Sequence, residues 1–183
     1  MNLQTKRLTI RSFQQWDLED VYAIYGNEET CQFLLHSAWR KENKEDKFSE
    51  KLEANLLTPS DPLSLACVYG EKVIGDLSIW YTGMKDTLEI GFSFNPSYGG
   101  QGFATEALRA VMEYLFLEKN IHRIQANLDA RNAPSAALCQ RVGMRREAHF
   151  LQDYWNKGEW TDSYVYGMLA SDLKEKVNGK HHD

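Results

Sequence analysis

The chain has 183 residues, 43% of them hydrophobic and 12% aromatic, which is enough for one domain with a sizeable core and too little for two. Its 26 acidic residues against 21 basic ones give a formal charge of −5 with no basic run, which argues against a nucleic-acid backbone as partner and leaves room for a cationic one. No run of about 18 apolar residues could span a membrane, and Met1 to Thr30 lacks the apolar core of a signal peptide, so the expectation is a cytoplasmic protein without a membrane partner.

Three widely spaced cysteines, Cys31, Cys67 and Cys139, have no paired metal-ligand spacing and suit a reducing compartment without structural zinc. No repeat or low-complexity segment interrupts the chain. Residues 1–175 are read as one domain and 176–183 as a polar tail, in which His181 and His182 are solvated side chains rather than metal ligands.

In chain order, Leu8 to Arg11 alternates as a first strand. Asp17 stands where it can cap a helix carrying Leu18, Val21, Tyr22 and Tyr25 at helical spacing up to Gly26. Glu42 to Leu57 is a charged helical region closed by Pro59 and Pro62. Leu63 to Tyr69 and Lys72 to Trp80 form a hairpin around Gly70-Glu71, and Thr87 to Phe94 is a strand with Leu88, Ile90, Phe92 and Phe94 on one face.

A helix from about Gly102 to Lys119 follows, its core stripe made of Ala104, Ala107, Leu108, Val111 and Leu115. Arg123 to Asp129 is a strand, Ala133 to Arg141 a helix stopped by Gly143, and Arg145 to Leu151 and Thr161 to Leu169 are strands. The fold class is therefore mixed α/β, with hairpins preceding a single crossover helix.

Gly99, Gly100 and Gly102 lie between a strand and a long helix. The first turn of that helix has unpaired N–H groups, its dipole adds about 0.3–1 kcal/mol for an anion, and glycine lets a phosphate approach the backbone. A diphosphate cradle and a plain tight turn both fit these residues. A Walker loop would need a Lys, absent from Gly102-Phe103-Ala104-Thr105, and a dinucleotide fingerprint would need glycine where Thr105 stands. Hydrolysis of ATP or GTP and binding of NAD are disfavoured.

At this loop the sequence resembles the GNAT acetyltransferases. Residues 99–104, Gly-Gly-Gln-Gly-Phe-Ala, match the family's Gln/Arg-x-x-Gly-x-Gly/Ala at Gly102 and Ala104 and depart from it at Gly99. "LQTKRLTIRSFQQWD", "LEIGFSFNPSYGGQGFATEAL", "NAPSAALCQRVGM" and "YWNKGEWTDSYVYGML" extend the resemblance to the RimJ/RimL branch, from about Leu3 to Ala170. It implies a mostly antiparallel mixed sheet flanked by helices and splayed between its fourth and fifth strands, with acetyl-CoA in the gap and no metal.

The resemblance assigns Phe92 and Phe94 to the pantetheine arm, and Gly100, Gln101, Gly102, Phe103, Ala104 and Thr105 to the diphosphate. At Gly102 a Cβ is expected to obstruct the phosphate. Asn132 matches the family's Asn-x-x-Ser and is assigned to the cofactor, although an Asn before Pro134 is also what a helix start favours.

Acetyl transfer to an amine needs a base, an oxyanion donor and an acid for the thiolate. By the same resemblance Glu89 is the base, an N–H near Phe94 the oxyanion donor and Ser135 the acid. Read from the residues alone, Glu89 is equally a solvated strand carboxylate and Ser135 a first-turn serine. Cys139 occupies the position of the family's usual tyrosine acid and reads best as a small buried thiol. Water remains an alternative proton donor.

Tyr154, Trp155, Trp160, Tyr164 and Tyr166 surround a turn at Asn156-Lys157-Gly158 and read as core, with an acceptor wall or a homodimer contact as the functional alternatives. The expected activity is N-acetylation, in a ternary complex, of a protein N-terminal amine like that of a ribosomal protein. A small amine such as a polyamine, amino acid or antibiotic is the alternative acceptor. A non-catalytic CoA-binding regulatory module is the rival outside enzymes.

Overall fold

The computed structural model describes residues 1–173; the expected polar tail at 176–183, with His181 and His182, lies outside the described residues. Strands and helices follow one another as β1 (Asn2–Gln4), β2 (Leu8–Arg11), α1 (Leu18–Tyr25), α2 (Glu28–Cys31), α3 (Lys44–Glu53), β3 (Leu63–Tyr69), β4 (Lys72–Tyr81) and β5 (Thr87–Phe94). The second half contributes α4 (Phe103–Leu117), β6 (Arg123–Asp129), α5 (Ala133–Val142), β7 (Arg145–Asn156) and β8 (Glu159–Leu169). One eight-stranded sheet runs in the order β1-β2-β3-β4-β5-β6-β8-β7.

Neighbouring strands are antiparallel except β5 and β6, which are parallel because α4 carries the chain back between them. These two strands pair only through Thr87↔Arg123, Leu88↔Ile124 and Glu89↔Gln125. Beyond Glu89 the ladder stops. Residues 90–94 stay paired with β4, and residues 126–129 with β8. The sheet therefore opens into a wedge between the strands read from the sequence as fourth and fifth, which are β5 and β6 once the short β1 is counted.

Each face of the sheet carries its own core, as strand alternation requires. Leu65, Cys67, Leu77 and Ile79 point to one side, where Ala107, Leu108, Val111 and Leu115 of α4 cover them. Ala66, Val68 and Val73 point to the other, beneath Val21, Ile24 and Tyr25 of α1 and Phe48 of α3. On that second face the buried Asp76 accepts from the Tyr25 hydroxyl at 2.6 Å and pairs with Lys51.

Four local readings change. Asp17 stands before α1 but makes no side-chain cap; its carboxylate takes the Arg11 guanidinium at 2.6 and 3.0 Å and the Gln14 N–H at 2.8 Å. An arginine fork offers a buried carboxylate more than one helical N–H does. The short β1 and α2 carry too few residues for a periodicity to register; α2 is marked by Asn27, which accepts from Glu29 at 2.8 Å. In α4, Ala104 is only half-buried, while Met112 and Phe116 join the stripe.

The last hairpin is longer than expected. Trp155↔Trp160 and Asn156↔Glu159 pair up to a tight turn in which Lys157 (φ 51) and Gly158 (φ 83) both take positive φ, as such turns demand. Between the pairs Phe150↔Ser163 and Tyr154↔Thr161, residues 151–153 bulge opposite Asp162.

Candidate active site

The glycine loop is built in steps. Asn95 leaves β5 with its N–H on the Ile74 carbonyl (2.9 Å) and its side chain on the Ser97 N–H (3.0 Å), and a single 3₁₀ turn brings the chain to Gly99. Gly100 (φ 72) and Gly102 (φ 79) adopt left-handed conformations, and Gly102 caps α4. A Cβ at Gly102 would meet only Arg7 Nη2 at 3.6 Å, so within the protein itself the demand for glycine is conformational.

The first helical bond of α4 is Glu106 N–H to the Gly102 carbonyl (3.0 Å), leaving the N–H groups of Phe103, Ala104 and Thr105 without helical acceptors. Gly100, Gly102, Phe103, Ala104 and Thr105 line a cavity of about 970 Å³ that Lys6, Arg109 and Arg141 also line. Phe103 itself is 3% exposed; its ring anchors the helix start, with Arg7 stacked on it at 4.2 Å. Gln101 is apart from the others: its carbonyl accepts Arg7 Nη1 at 2.9 Å, while Arg7 Nε pairs with Glu106 at 2.7 Å. This concave end has positive φ at two glycines, free N–H groups and three cations against the carboxylates of Glu113 and of Glu106, the latter already paired with Arg7, and so fits a diphosphate bearing further phosphate.

Phe94, Ala104 and Arg141 also belong to a second cavity of about 350 Å³, whose wall includes Phe92, Asn132 and Ser135. Phe92, Asn132 and Ser135 in turn border a third cavity of about 550 Å³, where Glu89 lies. The shared walls make one cleft through the wedge. Since Asn95 N–H turns to β4, strand alternation turns the N–H groups of Phe94 and Phe92 toward the opening.

At the inner end Glu89 Oε2 accepts from Gln125 Nε2 (2.9 Å) and Asn127 Nδ2 (2.7 Å), which fixes the carboxylate and leaves Oε1 without a protein donor among the described residues. Asn132 caps α5, accepting the Ser135 N–H at 3.2 Å, and so aims the start of that helix at the cleft. Cys139, on the next turn of α5, is 0% exposed, and burial pushes its thiol up to about 12. That environment is wrong for a nucleophilic thiolate. Among the described residues no group of three or more His, Cys, Asp or Glu is placed to hold a metal, and no helix is long and apolar enough to cross a membrane.

The outer wall comes from residues the sequence did not single out. Phe33, Leu34 and Leu35 follow α2, and the hairpin tip reaches them: Lys157 Nζ donates to the Cys31 carbonyl at 2.6 Å and Asn156 Nδ2 to the Leu34 carbonyl at 3.3 Å. Of the hairpin aromatics only Tyr166 is core, at 1% exposed; Tyr154, Trp155 and Trp160 are 45%, 57% and 56% exposed, against the expectation of core packing. They lie at the end of the hairpin, beyond the last β6–β8 pair, where β7 and β8 pair only with each other. Tyr154 and Trp80 line the inner cavity.

The chain matches the family described as Acetyltransferase (GNAT) domain over residues 7–145. It is 30% identical over 172 residues to the uncharacterized N-acetyltransferase YnaD of Bacillus subtilis, covering 94% of this chain and 99% of that one. It is also 30% identical over 83 residues to the [ribosomal protein uS5]-alanine N-acetyltransferase of Escherichia coli, 45% of this chain and 43% of the relative. A crystal structure of a GNAT-family acetyltransferase from Bacillus anthracis superposes with a TM-score of 0.85 at 27% identity, over 93% of this chain and 99% of that one.

Proposed function

The chain belongs to the GNAT acetyltransferase family, and from that premise we propose that it moves the acetyl group of acetyl-CoA to a primary amine by direct attack in a ternary complex. The observation that carries the reading is the continuity of the cleft, from the unpaired N–H groups at the start of α4 to Glu89 and Ser135. In it Gly100, Gly102, Ala104 and Thr105 hold the diphosphate, with Phe103 anchoring the helix that presents them. Gln101 contributes through its backbone. Phe92, Phe94 and Asn132 guide the pantetheine arm.

Acetyl-CoA supplies a thioester. Glu89, steadied by Gln125 and Asn127, receives the amine proton directly or through water as the C–N bond forms. The Phe94 N–H faces the oxyanion, and Ser135 protonates the thiolate as the C–S bond breaks. Holding amine and carbonyl together supplies much of the acceleration.

The favoured acceptor is a protein N-terminal amine, which the uS5-alanine acetyltransferase relative supports. A small amine is the second reading, favoured by a cavity lined by Glu89, Asp129 and Asp153, of which Asp129 is already paired with Arg131.

Calorimetric titration with acetyl-CoA, CoA, ATP and NAD tests the proposal. Selective binding of the two CoA species, lost in Gly102→Val, is expected; affinity for a nucleotide alone would overturn it. Ser135→Ala should then slow transfer about 10²-fold or more with acetyl-CoA affinity kept. An unchanged rate would remove Ser135 from the chemistry, and absence of turnover with any amine would leave a CoA-binding module.

A further inference from the structure

The turn joining β1 to β2 is docked on the glycine loop and the start of α4, between 94 and 101 residues further along the chain. Thr5 closes that turn: its N–H donates to the Leu8 carbonyl and its hydroxyl oxygen accepts from the Leu8 N–H, both at 2.9 Å. Thr5 and Lys6 line the cradle, whereas Arg7 is not part of its wall. The Arg7 guanidinium lies over the Phe103 ring, which is packed in turn against Tyr69 with centroids 4.7 Å apart.

From there Arg7 makes two bonds of different consequence. Nη1 donates to the Gln101 carbonyl at 2.9 Å, and Nε donates to Glu106 Oε2 at 2.7 Å. The first fixes a direction. Across a planar trans peptide the Gln101 carbonyl and the Gly102 N–H point opposite ways, so an oxygen turned to Arg7 turns that N–H to the cavity side. The Gly102 N–H has no acceptor among the described residues. With Gly102 left-handed and Phe103 helical, successive N–H groups form a concavity that suits an anion.

The second bond cancels a charge. Burial alone would raise the Glu106 carboxyl, but hydrogen bonds from Thr5 and Arg7 hold it below its usual range, so it stays ionised at the wall of the cradle. The Thr5 hydroxyl (2.6 Å) and the Arg7 backbone N–H (2.8 Å) complete its partners. An uncompensated carboxylate at that place would repel a phosphate.

Resting on the acetyl-transfer reading above, we infer that Arg7 is a positioning residue of the cofactor site, which aims the Gly102 N–H at the diphosphate and cancels Glu106 without touching a phosphate itself. A residue needed only for its charge could be a lysine. A fork that holds a carbonyl and a carboxylate at once could not.

The test combines calorimetry with the Gly102 amide resonance of the nitrogen-15-labelled full chain. The ligands are CoA and dephospho-CoA, which keeps the diphosphate and lacks the phosphate on the ribose. CoA should move the Gly102 resonance strongly in the unaltered protein and far less in Arg7→Met, while the remaining resonances show that each variant is folded. Arg7→Met should weaken both ligands by the same factor, about tenfold or more. Arg7→Lys should stay within about threefold of Arg7→Met, and adding Glu106→Gln to Arg7→Met should recover part of the loss. A loss confined to CoA would make Arg7 one more cation for the ribose phosphate, and full recovery in Arg7→Lys would reduce it to its charge; either overturns the inference. So does an unmoved affinity, or a Gly102 resonance that responds alike in both proteins. A double variant no tighter than Arg7→Met overturns the cancellation of Glu106. Failure of the unaltered protein to bind either CoA species takes down the acetyl-transfer reading instead.

Discussion

Cys139 and Tyr25 are acids that the fold keeps protonated: burial pushes the Cys139 thiol up to about 12 and, together with Asp76, lifts the Tyr25 phenol well above its usual range. Above about pH 9 the unfolded chain loses these protons while the native one retains them, so stability falls as pH rises through that window. Urea midpoints between neutrality and about pH 10 should show the decline, and Cys139→Ala should make it shallower; an unchanged slope would remove the thiol as a contributor. The same burial predicts that Cys139 resists alkylation until the protein unfolds. From the sequence, Cys139 was legible as an inert thiol and Asn132 as a cap, because both follow from residue type and position alone. Lys157 was not, since its bonds to the Cys31 and Gln32 carbonyls join residues far apart in the chain, and nothing local writes that contact.

Helix α4 does two tasks, filling the core with one face and presenting unpaired N–H groups at its start. Leu108→Ala, at a fully buried position in that face, should cost about 2–5 kcal/mol in chemical denaturation. The hairpin of β7 and β8 has the opposite character, with an exposed edge strand whose tip is secured by Lys157 and Asn156. Lys157→Met removes the contacts to the Cys31 and Gln32 carbonyls and should raise the KM for the amine severalfold with little change in acetyl-CoA affinity. Equal amine KM values would separate the tip from the acceptor side. Long periodic elements such as α4, β3 and β4 were readable because each carries its own pattern. The helix α2 and strand β1 have four and three residues, and only tertiary neighbours define them.

Over the whole molecule, chemistry converges from segments far apart in sequence. Lys6, Arg109 and Arg141 meet at the cradle only because β2 and α5 flank α4, which is why the glycines pointed to a phosphate but not to the side chains around it. Such a cationic end predicts that acetyl-CoA binds more weakly as ionic strength rises, measurable by titration at increasing salt; a salt-independent affinity would mean that backbone N–H groups carry the anion alone. The wedge has a consequence of another kind. Ordinary sheet interiors lock their amide protons away, but here the N–H groups of Phe92 and Phe94 have no facing strand, since β6 departs after Gln125. They should exchange with deuterium like the rim of a sheet although they sit at its centre, and a ligand whose own amides complete the ladder should slow that exchange without any change in fold.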